Sequence, residues 1–251
     1  MGSHFSCIGF PVSDMPTYWS LAREAVAKGE RLPIPDGSAL VRWAAGSGPE
    51  LWAQVDSAGE IAGLTPFFST GVFHRIAVTG SGDAPEDPMD GWVDGWMEPT
   101  EEDEPFSGAF PLRVDLVDYA LVRPRLVTFP SMHRVEVIAL AHEVDLYPDA
   151  AAYAAAPGEI HRPPVQSFVS AAHFSVDDPS GLEEATALAS GYVSESRLLV
   201  NPATEVPFWW IRVATTGVTL FVFAARELFS AEPRTGQVLA GSFWLVGRLQ
   251  D

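Results

Sequence analysis

The stretch that decides the fold is Pro111–Tyr147, PLRVDLVDYALVRPRLVTFPSMHRVEVIALAHEVDLY. Val114 and Leu116 fall on one parity, Asp115 and Val117 on the other, the period of two that a strand imposes. Farther on, Val135, Val137, Ala139 and Ala141 alternate with Glu136, Ile138, Leu140 and His142. Both parities are largely apolar, which predicts strands covered on both faces over part of their length. Pro124 and Pro130 sit between the two runs, where a connection tolerates a residue that lacks the ladder's N–H. The stretch reads as a central sheet with the flanking segments packed onto it.

Toward the N-terminus, His4–Phe10 reads as a short apolar strand. Met15–Lys28 follows as a helix, with Tyr18, Trp19, Ala22, Ala25 and Val26 on one face. Asp14 is its expected N-cap, Pro16 suits the first turn, and Gly29 closes it. Ala39–Ala44 and Glu50–Val55 read as strands joined by the hairpin Gly46-Ser47-Gly48-Pro49, and Glu60–Phe68 and Val72–Thr79 as two more. Gly80–Gly108 carries ten acidic residues and no basic one, with a small repeat, DGWV then DGWM, at Asp90–Met97. It reads as an excursion from the body, partly anchored by Trp92 and Trp96, with an exposed tail at Pro99–Pro105.

Toward the C-terminus, Asp149 caps a short helix, and Phe168–Val176 reads as a strand. Gly181–Tyr192 (GLEEATALASGY) reads as a helix capped by Ser180. Arg197–Val200, Pro207–Ala214, Val218–Ala224 and Gln237–Leu249 read as strands. The expected fold is α+β, mainly antiparallel sheet, with two β-α-β-β-β modules around a central β segment. Its divisions are 1–79 (N-terminal module), 80–110 (acidic loop), 111–164 (central β segment) and 165–251 (C-terminal module with a final strand).

Composition bounds the function. Hydrophobic residues make up 47% of the 251 and charged residues 19%, enough apolar material for a core. The longest apolar run, about Val218–Ala225, is far short of the roughly 20 residues of a membrane helix. MGSHFSCIGF has no basic n-region, and a lone Cys7 permits no internal disulfide. These features predict a soluble, cytoplasmic protein, and the Ala, Gly, Pro and Arg bias points to a GC-rich bacterial genome. With 33 acidic against 15 basic residues and a net charge of −18, nucleic acid and anionic membranes are disfavoured partners. The P-loop, G-x-S-x-G, H-E-x-x-H and C-x-x-C motifs are absent from the sequence. Cys7, in an apolar segment, reads as a buried, inert thiol.

One echo remains. His4-Phe5-Ser6 and His173-Phe174-Ser175 each precede an Asp-containing turn, an expected helix and expected strands. Two such units resemble the paired β-α-β-β-β modules of the vicinal oxygen chelate superfamily, the glyoxalase and bleomycin-resistance fold. The resemblance implies a divalent metal such as Zn²⁺, Fe²⁺ or Mn²⁺ on His4 and His173, with a carboxylate that by location is Glu50, Glu60, Glu205 or Glu227. Three functions are open on the sequence. The leading one is a small-molecule-binding protein with a cleft between two modules, to which the surplus of tryptophans at 43, 52, 92, 96, 209, 210 and 244 contributes. The second is a metal-dependent lyase, isomerase or dioxygenase of vicinal oxygen chelate type. The third is an acidic module that docks a basic protein partner.

Overall fold

A computed structural model describes residues 3–84, 87, 89–101, 104–157, 162–173 (residue 173 by its backbone alone) and 185–250. The described chain is mostly β. After a 3-10 turn at His4–Ile8 and the helix α1 (Met15–Lys28), four strands follow: β1 (Glu30–Pro33), β2 (Ala39–Ala44), β3 (Pro49–Val55) and β4 (Ile61–Phe68). They form an antiparallel sheet in the order β1-β2-β3-β4. Its local signals act as expected. Asp14 Oδ1 accepts from Thr17 N at 2.8 Å, Pro16 occupies the first turn, and the Gly29 N–H closes the helix on the Ala25 carbonyl. Gly46 (φ 78°) and Gly48 (φ 112°) turn the β2–β3 hairpin in the left-handed region. Gly48 has a second reason to be glycine: a β-carbon there would stand 2.2 Å from the Phe68 ring.

Nine further strands make the second sheet. In chain order they are β5 (His74–Asp83), β6 (Gly91–Met97), β7 (Pro111–Leu116), β8 (Ser131–Tyr147), β9 (Ser167–Ser170), β10 (Thr186–Val200), β11 (Pro207–Ala214), β12 (Thr219–Ala225) and β13 (Val238–Leu249). The short helices α2 (Tyr119–Val122) and α3 (Ala150–Ala155) lie between β7 and β8 and between β8 and β9. The 17-residue β8 is the axis of the molecule. Along one edge it pairs antiparallel with β13, Val135–Tyr147 against Val238–Leu249. Its other edge is divided: Ser131–Val135 pair with β5, and Ala139 and Leu140 pair in parallel with β12. The free edge of β13 is divided in the same way between β10 and β7.

Two circuits therefore close on the β8–β13 pair. One runs β8-β12-β11-β10-β13, the other β8-β5-β6-β7-β13. Closure removes the open edges that an extended sheet would present. It also buries Val135–Ala141 without interruption on both faces, as the apolar character of both parities predicts.

The two sheets meet through aromatic stacking and a buried charge network. Phe68 of β4 stacks on Phe223 of β12 with centroids 4.4 Å apart. Glu136 of β8 is 0% exposed, and its Oε1 accepts from Thr70 N, Thr70 Oγ1 (2.8 Å) and Gly71 N (2.6 Å) in the connection that follows β4. Its Oε2 accepts from Arg248 Nη2 of β13 at 2.8 Å. Arg248 Nη1 lies 3.9 Å from Glu50 Oε2 of β3, and Glu50 in turn accepts from Arg42 and from Trp52 Nε1. One hydrophobic cluster, from Phe5 to Leu249, spans both sheets.

Four expectations need correction. His4–Ile8 is a 3-10 turn, not a strand: Ser3 Oγ accepts from Phe5 N, and Gly9 in the left-handed region closes the turn with its N–H directed to Phe5 and Ser6 carbonyls. Phe5, Cys7 and Ile8 are buried without a strand's alternation. Residues 186–192 of the expected second helix are strand, because β13 and β9 pair with them on either side and tertiary pairing overrides the helical preference of Ala and Leu. Residues 174–184 lie outside the described set. Among the described residues the β-α-β-β-β order is thus not seen in either unit: the N-terminal one opens on a 3-10 turn, and in the C-terminal one strand β10 begins where helix was expected. The repeat DGWVDGWM does not lie in an excursion: Gly91–Met97 is β6, with Gly91, Val93, Gly95 and Met97 buried. Gly91 and Gly95 are the inward residues because a β-carbon would stand 2.3 Å from the Tyr119 ring and 2.6 Å from Ile76. The strand over 74–83, grouped on sequence with the first unit, bonds to β6 and β8 in the second sheet.

Candidate functional site: an acid-lined cleft between the sheets

A cleft of about 860 Å³ opens where the ends of β2 and β4 face β6, β7 and β13. Each wall is set by a local feature. Tyr18 is offered by α1, Ser38 immediately precedes β2, and Ala62–Thr65 come from β4. Met89–Trp92 enter β6, Asp115 and Leu116 end β7, and Trp244 lies on β13. Five aspartates border the cleft, at 36, 56, 87, 90 and 115, and no Lys, Arg or His does among the described residues.

Asp36 and Asp56 are rim residues, with Oδ1 accepting from backbone N–H groups in their own turns, Ser38 at 2.9 Å and Glu60 at 2.8 Å. Asp87 accepts from Met89 N at 2.8 Å. Asp115 Oδ2 accepts from Trp244 Nε1 at 2.6 Å, which fixes the indole as a wall. Asp90 differs in being largely buried. Its Oδ1 accepts from Gln54 Nε2. Burial first, then the charges of Asp87 and Asp115, push its carboxyl up from 3.8 to about 6, against the hydrogen bond from Gln54. The Tyr18 phenol is raised as well, mainly by burial and further by Asp90.

Gln54 stands behind two of the lining residues, Gly63 and Asp90. It lies on β3, is 1% exposed, and sits opposite Gly63 of β4. Its Nε2 also reaches Thr65 Oγ1 at 3.5 Å, while its Oε1 has no hydrogen-bond partner among the described residues. Behind the Trp244 wall stands His4, with ring centroids 4.8 Å apart. His4 Nε2 is hydrogen-bonded to His142 Nδ1 at 2.9 Å. Burial, then the neighbouring His142, lowers its pKa to about 4, so it supports the wall as a neutral imidazole.

Of the site residues expected on sequence, His4 is therefore one side chain removed from the cleft. The backbone of His173 ends a 3-10 turn at Ala171–His173 that packs on β7 and β10, and its side chain lies outside the described set. The turn that carries His4 packs instead on β4, β8, β11 and β12. Among the described residues, no group of three or more His, Cys, Asp and Glu side chains is arranged to hold a metal ion. Glu50, one of the carboxylates considered for such an ion, is occupied by Arg42 and Trp52. Trp92 and Trp244 do line the cleft. The Trp92 ring is covered by the Arg113 guanidinium 3.5 Å from its centroid, and the two Asp94 carboxylate oxygens accept from Arg113 Nε and Nη2.

Cys7 is buried with its thiol donating to the Ala141 carbonyl at 3.3 Å, and burial pushes its pKa up to about 11. Native protein at pH 8 is expected to leave a disulfide reagent such as DTNB unreacted over minutes, and to release one equivalent of thiolate-derived colour on unfolding. Rapid stoichiometric colour from the native protein would show that the thiol is accessible.

Sequence reasoning missed Asp90, Asp115 and Gln54. One signal was present: Gln54 is the single amide in PELWAQV, a run otherwise fit for burial, and a buried amide needs partners. Comparison with protein-family models, curated proteins and solved structures finds no match to this chain. No helix among the described residues is long and apolar enough to cross a membrane.

Proposed function

We propose that the protein binds a small organic cation in this cleft. The observation that carries the reading is Asp90, a largely buried carboxylate with two further carboxylates acting on it and, among the described residues, no basic side chain on the walls. Burying a carboxylate without a counter-charge is unfavourable, and a bound cation would offset that cost. The walls suit an organic cation with an apolar body: Leu64, Met89 and Trp244 offer apolar surface beside the charges. The net charge of −18 draws cations toward the molecule. The chemistry on display, carboxylates, hydroxyls and aromatic faces, is that of a binding site.

Calorimetric titration at pH 8 with primary ammonium ions, n-hexylammonium and 2-phenylethylammonium, beside the neutral alcohols 1-hexanol and 2-phenylethanol, tests the reading. The ammonium ions are expected to bind and the alcohols to bind at least about tenfold more weakly. Asp90→Asn is expected to weaken the ammonium ions by about tenfold, since a hydrogen bond to a charged group is lost. Equal affinity for the charged and neutral series would remove the cation reading.

A further inference from the structure

We infer that the cleft selects its cation by N–H groups, seating a primary ammonium between Asp90 and the side-chain carbonyl of Gln54 in preference to a quaternary ammonium. The inference rests on the reading of the cleft as a cation site and adds the class of cation.

The argument starts from the amide of Gln54. An ionised Asp90 only accepts hydrogen bonds, so the amide must turn its NH₂ toward that carboxylate. That orientation commits Nε2 to Asp90 and Thr65 and directs Oε1 the other way. There it has no donor among the described residues, although Gln54 is 1% exposed. Buried side-chain oxygens in native proteins nearly always have a partner, and one without calls for an explanation, an ordered water or a bound group among them.

The position of that oxygen points to the cleft. It lies over Gly63, where a β-carbon would stand 2.4 Å from it, and Gly63 itself lines the cleft. Any other residue at 63 would cover Oε1 or displace it. The amide thus spans from one lining residue, Gly63, to another, Asp90, with an acceptor at one end and the acceptor's neighbouring negative charge at the other. A group that satisfies both must carry positive charge and at least two N–H donors. A primary ammonium has three. A quaternary ammonium supplies the charge, leaves Oε1 unsatisfied, and spreads its methyl groups where the donors should be.

The test compares each primary ammonium with its N,N,N-trimethyl counterpart: n-hexylammonium with hexyltrimethylammonium, and 2-phenylethylammonium with its trimethyl derivative. Titrations at pH 8 keep Asp90 ionised. The primary ions are expected to bind about tenfold or more tightly than the quaternary ones, the value of one charge-assisted hydrogen bond. Gln54→Met, similar in length but without the carbonyl, is expected to bring the two series within about twofold of each other by the same reasoning. Asp90→Asn is expected to weaken both. Circular dichroism checks that Gln54→Met folds, and where it does not, the comparison on the unaltered protein decides alone. Equal affinities, or a preference for the quaternary ions, would overturn the N–H selection, as when a trapped water already satisfies Oε1, and would leave the cation site standing. Selectivity that persists in folded Gln54→Met would overturn the part given to Gln54. Binding of neither series would overturn the cation site and this inference with it.

Discussion

Replacing Glu136 with alanine is expected to lower the unfolding free energy by about 3–5 kcal/mol, the range for removing one member of a buried ion pair. Glu136 is 0% exposed and Arg248 is largely buried beside it. Without the carboxylate, the Arg248 guanidinium keeps its weaker approach to Glu50 at 3.9 Å and a hydrogen bond to Ser69 Oγ at 3.3 Å. The Thr70 and Gly71 N–H groups lose their acceptor at the same time, and each orphaned donor adds to the cost. A loss of that size is a large share of the roughly 5–15 kcal/mol that holds a typical domain together. Replacing both partners, Glu136→Met with Arg248→Met, is expected to recover much of it, because an apolar pair leaves no charge uncompensated. Urea unfolding with an unchanged m-value is the measurement. A midpoint within error of the parent for Glu136→Ala would mean that solvent reaches the network and screens it.

The second large effect has the opposite sign. Asp90→Asn is expected to stabilise the unliganded protein at neutral pH while weakening ligand binding. The Asp90 carboxyl rises from 3.8 to about 6 on folding, so between those values the folded state holds a proton that the unfolded state has released. Stability contributed by this group is therefore intact below about pH 4, falls as pH rises toward 6, and is fully lost above it. The ionised group costs about 3 kcal/mol at pH 7.5 at 1.36 kcal/mol for each pH unit. An uncharged asparagine removes that cost and still offers Gln54 Nε2 an acceptor. The expected gain in melting temperature is about 5–10 °C at pH 7.5 for a chain of this size, shrinking to nothing by pH 4. A gain independent of pH would come from something other than the charge, and no gain at pH 7.5 would mean that Asp90 is solvated or paired. A stabilising replacement at a binding site is the usual trade between stability and function.

What the sequence determined by itself was whatever depends on neighbours along the chain. Asp14, Pro16 and Gly29 fix the limits of α1, Gly46 and Gly48 turn the β2–β3 hairpin, and Asp149 caps α3, because caps and tight turns are satisfied within a few residues. Alternation over 111–116 and 131–141 was also legible, and the apolar character of both parities announced a strand buried on two faces. Tertiary structure decided the rest. His4–Ile8 is apolar enough for a strand and finds no ladder, whereas ALASGY resembles helix and is held as strand by β9 and β13. The acidic run that looks like a solvated loop supplies β6, since its glycines, Val93 and Met97 face inward while Trp92, Asp94 and Trp96 lie on the other face. The cleft was least legible of all. Gln54 and Asp90 are 36 positions apart, Asp115 and Trp244 are 129 apart, and each residue alone is unremarkable for a strand end or a turn. Hydrogen bonding between such residues exists only after the β8–β13 pair has closed both circuits and the smaller sheet has docked, so no local pattern encodes it.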